Sequence, residues 1–190
     1  MTTIAAVKKG KRLCLASDSL TIFGSRKEES GKHVQEEEKF IEVGPNLVGI
    51  SGHPSWGLVL TDYFSKKKTT SLWKTSGQIF DLFNGIHEEL KEQYYLSPPS
   101  LKFIPFESSE FQLLIINTCG IFEVEYSRMV RQYSKYSVIG TGEEYALGAI
   151  KAVYDMIGDA EEIAKIGFEA AAQFDRKTGL PLYTQCIDLN

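Results

Sequence analysis

MTTIAAVKKGKRLCLASD, residues 1–18, decides how the rest of the chain is read. Thr3-Ile4-Ala5-Ala6-Val7 is a strand-like run, Lys9-Gly10-Lys11 a tight turn, and Leu13-Cys14-Leu15-Ala16 a second apolar run that stops at Asp18. Two short apolar runs joined by a glycine turn predict a β-hairpin. Its return strand brings Asp18 back beside Thr2. Methionine is readily clipped when a small residue follows it, and loss of Met1 leaves Thr2 with a free α-amine next to its hydroxyl. A threonine hydroxyl is a poor nucleophile until a base takes its proton. An α-amine, with a pKa of about 7.7–8.0, is suited to that task near neutrality. Thr2 is therefore a candidate N-terminal nucleophile, although many chains begin Met-Thr with no such role.

Outward from the hairpin, Ser19 to Gly24 is a short apolar stretch closed by glycine, and residues 25–38, SRKEESGKHVQEEE, read as a solvated loop or hairpin tip. Lys39 to Val43 and Leu47 to Ser51 are two strand signals around the turn Gly44-Pro45-Asn46. Pro54 is placed for the first turn of a helix running to about Lys66, with Trp56, Val59, Leu60 and Tyr63 on one face. A second helix spans about Ser76 to Tyr95, with Ile79, Phe83, Ile86 and Leu90 inward. Strands return at Leu113 to Ile116, at Phe122 to Tyr126 and at Tyr136 to Ile139. A helix from Glu143 to about Ile157 is assigned the inner face Tyr145, Ala149, Ala152 and Met156. Asp159 and Glu162 form a capping pair for a last helix with inner face Ile163, Ile166, Ala170 and Phe174. Leu180 to Leu189 closes the chain as a strand.

Strands and helices thus fall in separate blocks, which points away from a doubly wound parallel sheet. The expectation is an α+β fold in one domain, residues 1–190: a four-layer αββα sandwich of two antiparallel sheets flanked by helical pairs. With 190 residues the chain can bury about 70% of its unfolded surface. A net charge of −4 offers no basic field for nucleic acid or anionic membrane. No apolar run reaches the ~20 residues that span a bilayer, and no signal-peptide core is present. Cys14, Cys119 and Cys186 are odd in number and scattered, and they read as reduced core thiols of a cytoplasmic protein. The cysteines and the histidines, His33, His53 and His87, match no metal spacing, so neither metal nor other cofactor is expected.

Five separated features resemble one family. The chain is similar to the β-type subunits of the proteasome superfamily, the N-terminal-nucleophile (Ntn) hydrolases of αββα architecture, and in particular to their small bacterial homologues. Thr2-Thr3-Ile4 resembles the family's mature start, and Asp18, 16 residues after Thr2, its catalytic aspartate. Lys39-Phe40-Ile41-Glu42 resembles its lysine strand. Leu47 to Gly52 resembles the strand and glycine that bind substrate and oxyanion. Ile139-Gly140-Thr141-Gly142 with its following helix resembles the Gly-Ser-Gly turn, and Asp175 with Thr178 and Gly179 the Asp-x-x-Ser-Gly element. The chain departs from the pattern in places. The loop before Lys39 is longer than usual, which leaves Lys32 as the alternative lysine. Leu20 replaces a frequent basic residue, and threonine replaces serine at 141 and 178.

The resemblance implies a threonine-type endopeptidase acting on polypeptide. Thr2 would attack the peptide carbonyl while its amine accepts the proton. Lys39, held as ammonium by Asp18, would supply positive potential. The Gly52 N–H would serve as oxyanion donor, a contact worth about 3–4 kcal/mol in comparable sites. Thr141, Asp175 and Thr178 would orient the amine, while Thr21, Ile50 and Pro54 would contact the substrate. The family also implies self-association into stacked rings. The short C-terminal end, Asp188-Leu189-Asn190, does not by itself provide a tail for an ATPase unfoldase. The apolar first helix, with Trp56, Leu58, Val59, Tyr63 and Phe64, has more large side chains than one buried face needs and is assigned to a subunit interface. Two other classes stay open: a small-amide Ntn amidase, and a catalytically silent ring subunit.

Overall fold

The computed structural model describes residues 2–23, 26–28, 39–97 and 105–189; for 21–23 and 26–28 it describes the backbone only. Strands β1 (Thr3–Lys9) and β2 (Arg12–Asp18) form the expected antiparallel hairpin, pairing Lys9 with Arg12 and Ile4 with Ser17. Its turn uses Gly10 at φ 58°, a conformation in which a Cβ is disfavoured. Strands β3 (Thr21–Phe23) and β4 (Arg26–Glu28) make a small second hairpin. Residues 29–38, which hold Lys32 and His33, lie outside the described residues.

β5 (Phe40–Val43), β6 (Asn46–Gly52), β7 (Phe111–Asn117), β8 (Gly120–Val124) and β9 (Val130–Tyr133) pair in sequence order as an antiparallel five-stranded sheet. The other large sheet takes β10 (Tyr136–Gly140), β1, β2 and β11 (Leu182–Asp188) in that order. Helices α1 (Ser55–Lys67) and α2 (Ser76–Gln93) cover the five-stranded sheet, and α3 (Glu143–Val153) and α4 (Ala160–Phe174) cover the four-stranded one.

Strand alternation builds the layers, because successive side chains leave a strand on opposite faces. Ile4, Ala6, Leu13 and Leu15 meet Leu47, Leu114, Ile116 and Ile121 between the sheets. Their neighbours Ala5, Val7, Cys14 and Ala16 turn out to Ala146, Ile150, Ile163 and Ala164. Val48, Ile50, Leu113 and Ile115 turn the other way, to Leu60, Phe83, Ile86 and Leu90. The sheets approach closely where side chains are small. A Cβ on Gly49 would lie 2.8 Å from Ile4 Cγ2. The predicted four-layer αββα sandwich is therefore the observed one.

Several finer expectations are corrected. The inward residues of α3 are Ala146 and Ile150, while Tyr145 and Met156 are 46% and 83% exposed. Apolar residues occur all round this helix, so periodicity alone does not choose a face. On α4 the buried set is Ala160, Ile163, Ala164, Gly167, Phe168 and Ala171, and Phe174 is exposed. Small residues carry a weak hydrophobic signal, yet they let the helix approach: a Cβ on Gly167 would sit 2.6 Å from Ile150 Cγ1. Trp56, Tyr63 and Phe64 of α1 are buried beneath the helix, and Val59 packs against the same cluster. Only Leu58 among the residues assigned to an interface points outward, so α1 has no surplus apolar face. β9, half-exposed and without alternation, has no counterpart in the sequence reading.

The cysteine reading is corrected as well. Cys14 and Cys186 face each other across β2 and β11 and form a disulfide, and only Cys119 is free. Their separation of 172 residues hides this neighbourhood in the sequence, and only strand pairing creates it. Among the described residues no helix is long and apolar enough to cross a membrane.

Candidate active site

Because β1 begins where β2 ends, the hairpin places Thr2 against Asp18. The Thr2 hydroxyl donates to Asp18 Oδ1, and the Thr3 N–H donates to the same oxygen over 3.2 Å. The other carboxylate oxygen belongs to the opposite sheet's lysine. Lys39 Nζ lies 3.1 Å from Asp18 Oδ2 and donates to the Leu20 carbonyl at 2.5 Å. The Lys39 carbonyl accepts from Ile50 N–H at 2.9 Å, so the lysine is anchored on β6 while its side chain spans the gap between sheets. Asp18 is wholly buried and Thr2 nearly so. Burial pushes the Asp18 carboxyl above its ordinary value, opposed by the Lys39 ammonium and by the bonds from Thr2, Lys39 and Thr3.

A second cluster meets the same strand from the α3–α4 side. Thr141 N–H donates to the Thr2 carbonyl at 2.9 Å, extending the β1–β10 ladder by one rung. The hydroxyls of Thr141 and Thr178 donate to Asp175 Oδ2 at 2.6 and 2.8 Å. Burial works to raise the Asp175 carboxyl, but these two hydroxyls and the Lys177 N–H outweigh it and hold it below its usual range. Thr178 Oγ1 is 2.5 Å from Thr3 Oγ1, which in turn accepts from Gly142 N–H at 3.1 Å. Gly140, at φ 102°, allows this approach, since a Cβ there would collide with the Thr2 carbonyl. The chain after Thr178 closes over Asp18: Gly179 packs against Leu20, and Ser19 donates to the Pro181 carbonyl.

Gly52 ends β6 at φ 151°, paired with Phe111. Its neighbour Ser51 approaches the same corner, with Oγ 3.4 Å from the Cβ position of Gly140. Thr2, Asp18, Lys39, Thr141, Asp175 and Thr178 are thus joined by hydrogen bonds through Thr2 and Thr3. Neither the Ile50 nor the Pro54 side chain enters that network. Ile50 packs inward under the helices, Pro54 is exposed at the start of α1, and the side chain of Thr21 lies outside the described residues. His53 is exposed and bonded to Ser55. Sequence reasoning missed Thr3, whose hydroxyl joins Thr178 to Gly142, and the Leu20 carbonyl on Lys39. Thr3 alternates out of register with Ile4, which was its only visible signal; a backbone carbonyl leaves none. Among the described residues no cluster of histidine, cysteine and acidic side chains could hold a metal.

No family model matches the sequence. The structure of Thiobacillus denitrificans BPH shares 38% identity with this chain, covers 99% of it and 98% of its own length, and superposes with a TM-score of 0.92. The chain belongs to the HslV-like β-type subunits of the proteasome superfamily. The same BPH in complex with epoxomicin superposes at 0.91. The ATP-dependent protease subunit HslV of Caldicellulosiruptor saccharolyticus is 27% identical over 175 residues, spanning 90% of this chain and 89% of that protein. HslV from Trypanosoma brucei, 19% identical with a TM-score of 0.66, shares the fold.

Proposed function

We propose that this chain is the threonine-type endopeptidase subunit of a self-compartmentalised ring protease, with residues 1–190 acting as one domain and Thr2 as nucleophile once the chain begins there. The observation that carries the reading is the bond from the Thr2 hydroxyl to a wholly buried carboxylate that is ion-paired to Lys39. A buried ion pair is weakly stabilising at best, so its retention beside a terminal threonine fits a site better than a scaffold. Relatives named as a protease subunit support peptide as the substrate class.

In this mechanism the Thr2 amine, through a water, accepts the hydroxyl proton as Oγ1 attacks the substrate carbonyl. The Lys39 ammonium stabilises the alkoxide, and the Gly52 N–H receives the negative charge that develops on the carbonyl oxygen. The departing amine takes the proton from the Thr2 amine and leaves an ester on Oγ1. Water then adds to that ester, again deprotonated by the amine, and frees the threonine. Asp175, with Thr141 and Thr178, holds the Thr2–Thr3 backbone in register for these steps.

A ring of such subunits would confine the nucleophile, and the exposed pair Tyr145 and Phe174, rings 5.6 Å apart, is the apolar surface this reading assigns to contacts between copies. An ATP-driven unfoldase is the partner class carried over from the HslV relative. The test is intact mass before and after a threonine-directed electrophile, with peptide turnover measured alongside. Active protein should begin at Thr2 and gain one adduct there. Thr2→Ala should abolish turnover, and Lys39→Ala should reduce it by about a hundredfold or more, in line with loss of a transition-state electrostatic contact. Full turnover by protein that retains Met1, or by Thr2→Ala, would remove the assignment. Cleavage of small amides but not of peptides would favour an amidase instead.

A further inference from the structure

Among the buried polar clusters of the described residues that have no part in the mechanism above is one on α2. His87 on α2 is 6% exposed. Its Nε2 lies 3.2 Å from Glu107 Oε2 and its Nδ1 2.9 Å from Ser109 Oγ. Glu107 is an acceptor, so Nε2 carries the hydrogen and Nδ1 accepts from the serine hydroxyl. Burial pushes the imidazole toward its neutral form; Arg128 and Lys91 act in the same direction, against Glu107. The arrangement has the composition of a serine–histidine–acid relay. Ser109, 1% exposed, lies at the entry to β7, two residues before Phe111.

The cluster holds the segment next to Gly52. Phe111 is the ladder partner of Gly52, and a Cβ on Gly52 would sit 2.9 Å from the Glu110 carbonyl. Glu110 is a non-glycine residue at φ 63°, a costly conformation that persists only where its surroundings impose it. Those surroundings are explicit. Ser109 N–H donates to the Tyr126 carbonyl at 2.8 Å, Glu110 N–H donates to Ser108 Oγ at 3.1 Å, and Ser109 Oγ is held by His87. Helix α2 grips the segment twice. Phe83, one turn before His87, packs its ring against Phe111 at 6.4 Å, and residues 109 and 111 are two apart.

We propose that His87 is a positioning residue for the oxyanion donor: through Ser109 it fixes the left-handed Glu110 and, by the Gly52–Phe111 pairing, the direction of the Gly52 N–H. This rests on the reading of Thr2 as nucleophile and Gly52 as donor. It makes the outer helix α2 a determinant of transition-state binding at a site it does not touch.

The experiment compares His87→Leu with His87→Asn, whose amide oxygen can still accept from Ser109, and with Ser109→Ala. Three readouts are taken on each assembled protein: peptide hydrolysis, affinity for a peptide aldehyde, and the rate of Thr2 labelling by a peptide vinyl sulfone. The aldehyde forms a hemiacetal whose oxygen needs the Gly52 donor. The vinyl sulfone does not: Thr2 Oγ1 adds to its β-carbon and the proton goes to the α-carbon. For His87→Leu and Ser109→Ala we expect kcat and aldehyde affinity to fall about tenfold or more, KM to stay within about threefold, and vinyl sulfone labelling to be unchanged, a pattern specific to oxyanion misplacement. His87→Asn should restore most of the loss. Unchanged kcat in both variants overturns the proposal, as does a parallel fall in vinyl sulfone labelling, which would make His87 a general support of the fold. Wild-type protein that gains no Thr2 adduct sinks the nucleophile reading and this inference with it.

Discussion

Asp18 and Asp175 are two carboxylates about the same strand whose environments push them in opposite directions. Asp18 is raised by burial, which Lys39 only partly offsets, whereas Asp175 is held low by two threonine hydroxyls and a backbone N–H. A depressed folded-state pKa stabilises the protein above the unfolded value and loses that contribution as pH falls through the folded one. Asp175→Asn should therefore be less stable than wild type at neutral pH, and the two melting temperatures should converge in acid below about pH 4. A melting-temperature difference that widens in acid would contradict the hydrogen-bond account. Asp18 carries the opposite sign: its contribution is greatest in acid and declines as pH rises through its elevated pKa. Burial of Asp18 thus works against stability as pH rises, whereas Asp175 contributes to it.

Among the helices, the small residues of α4 set how closely it lies on α3. Gly167 leaves no room for a side chain beside Ile150 and the Ala146 carbonyl, whereas Gly148 on α3 has no atom within 4 Å of its Cβ position. Two glycines of similar appearance in the sequence should therefore respond in opposite ways. Gly167→Val is expected to destabilise by about 1–3 kcal/mol through overpacking. Gly148→Ala should stabilise by about 0.5–1 kcal/mol, because alanine loses less backbone freedom in a helix. Chemical denaturation of both variants measures the pair. A Gly167→Val protein as stable as wild type would mean that α3 and α4 can part without loss.

Taken as a whole molecule, the protein keeps the apolar residues of α1 inside, Leu58 excepted, and shows others elsewhere. Tyr145, Phe174 and Leu180 are 46%, 67% and 63% exposed around the end of α4. Phe174→Lys places a cation at a helix C-terminus, where the dipole tolerates it. It should therefore shift the assembly toward smaller species while leaving protomer melting nearly unchanged. Sedimentation velocity at micromolar concentration reads the outcome. Wild-type protein that sediments at the protomer's own mass and still cleaves peptides at full rate would remove the ring from the proposal.

The four layers were legible in the chain itself, as was the clustering of most of the side chains now gathered around Thr2. Period-two runs, a turn at Gly10 and helix blocks between strand blocks dictate two sheets and their covers, because alternation and burial are local consequences of residue type. The hairpin 1–18 alone brings Thr2 to Asp18, and the family pattern pointed to Lys39, Thr141, Asp175 and Thr178. What the sequence could not reveal depends on contacts between distant residues of similar local signal. Which side of α3 and α4 faces inward was decided by fit, since Ala and Gly contribute little hydrophobicity yet control approach. The Cys14–Cys186 bond and the His87–Ser109 strut join residues 172 and 22 apart, and no periodicity encodes either. They exist because β11 lies beside β2, and because α2 lies across the strand that pairs with Gly52.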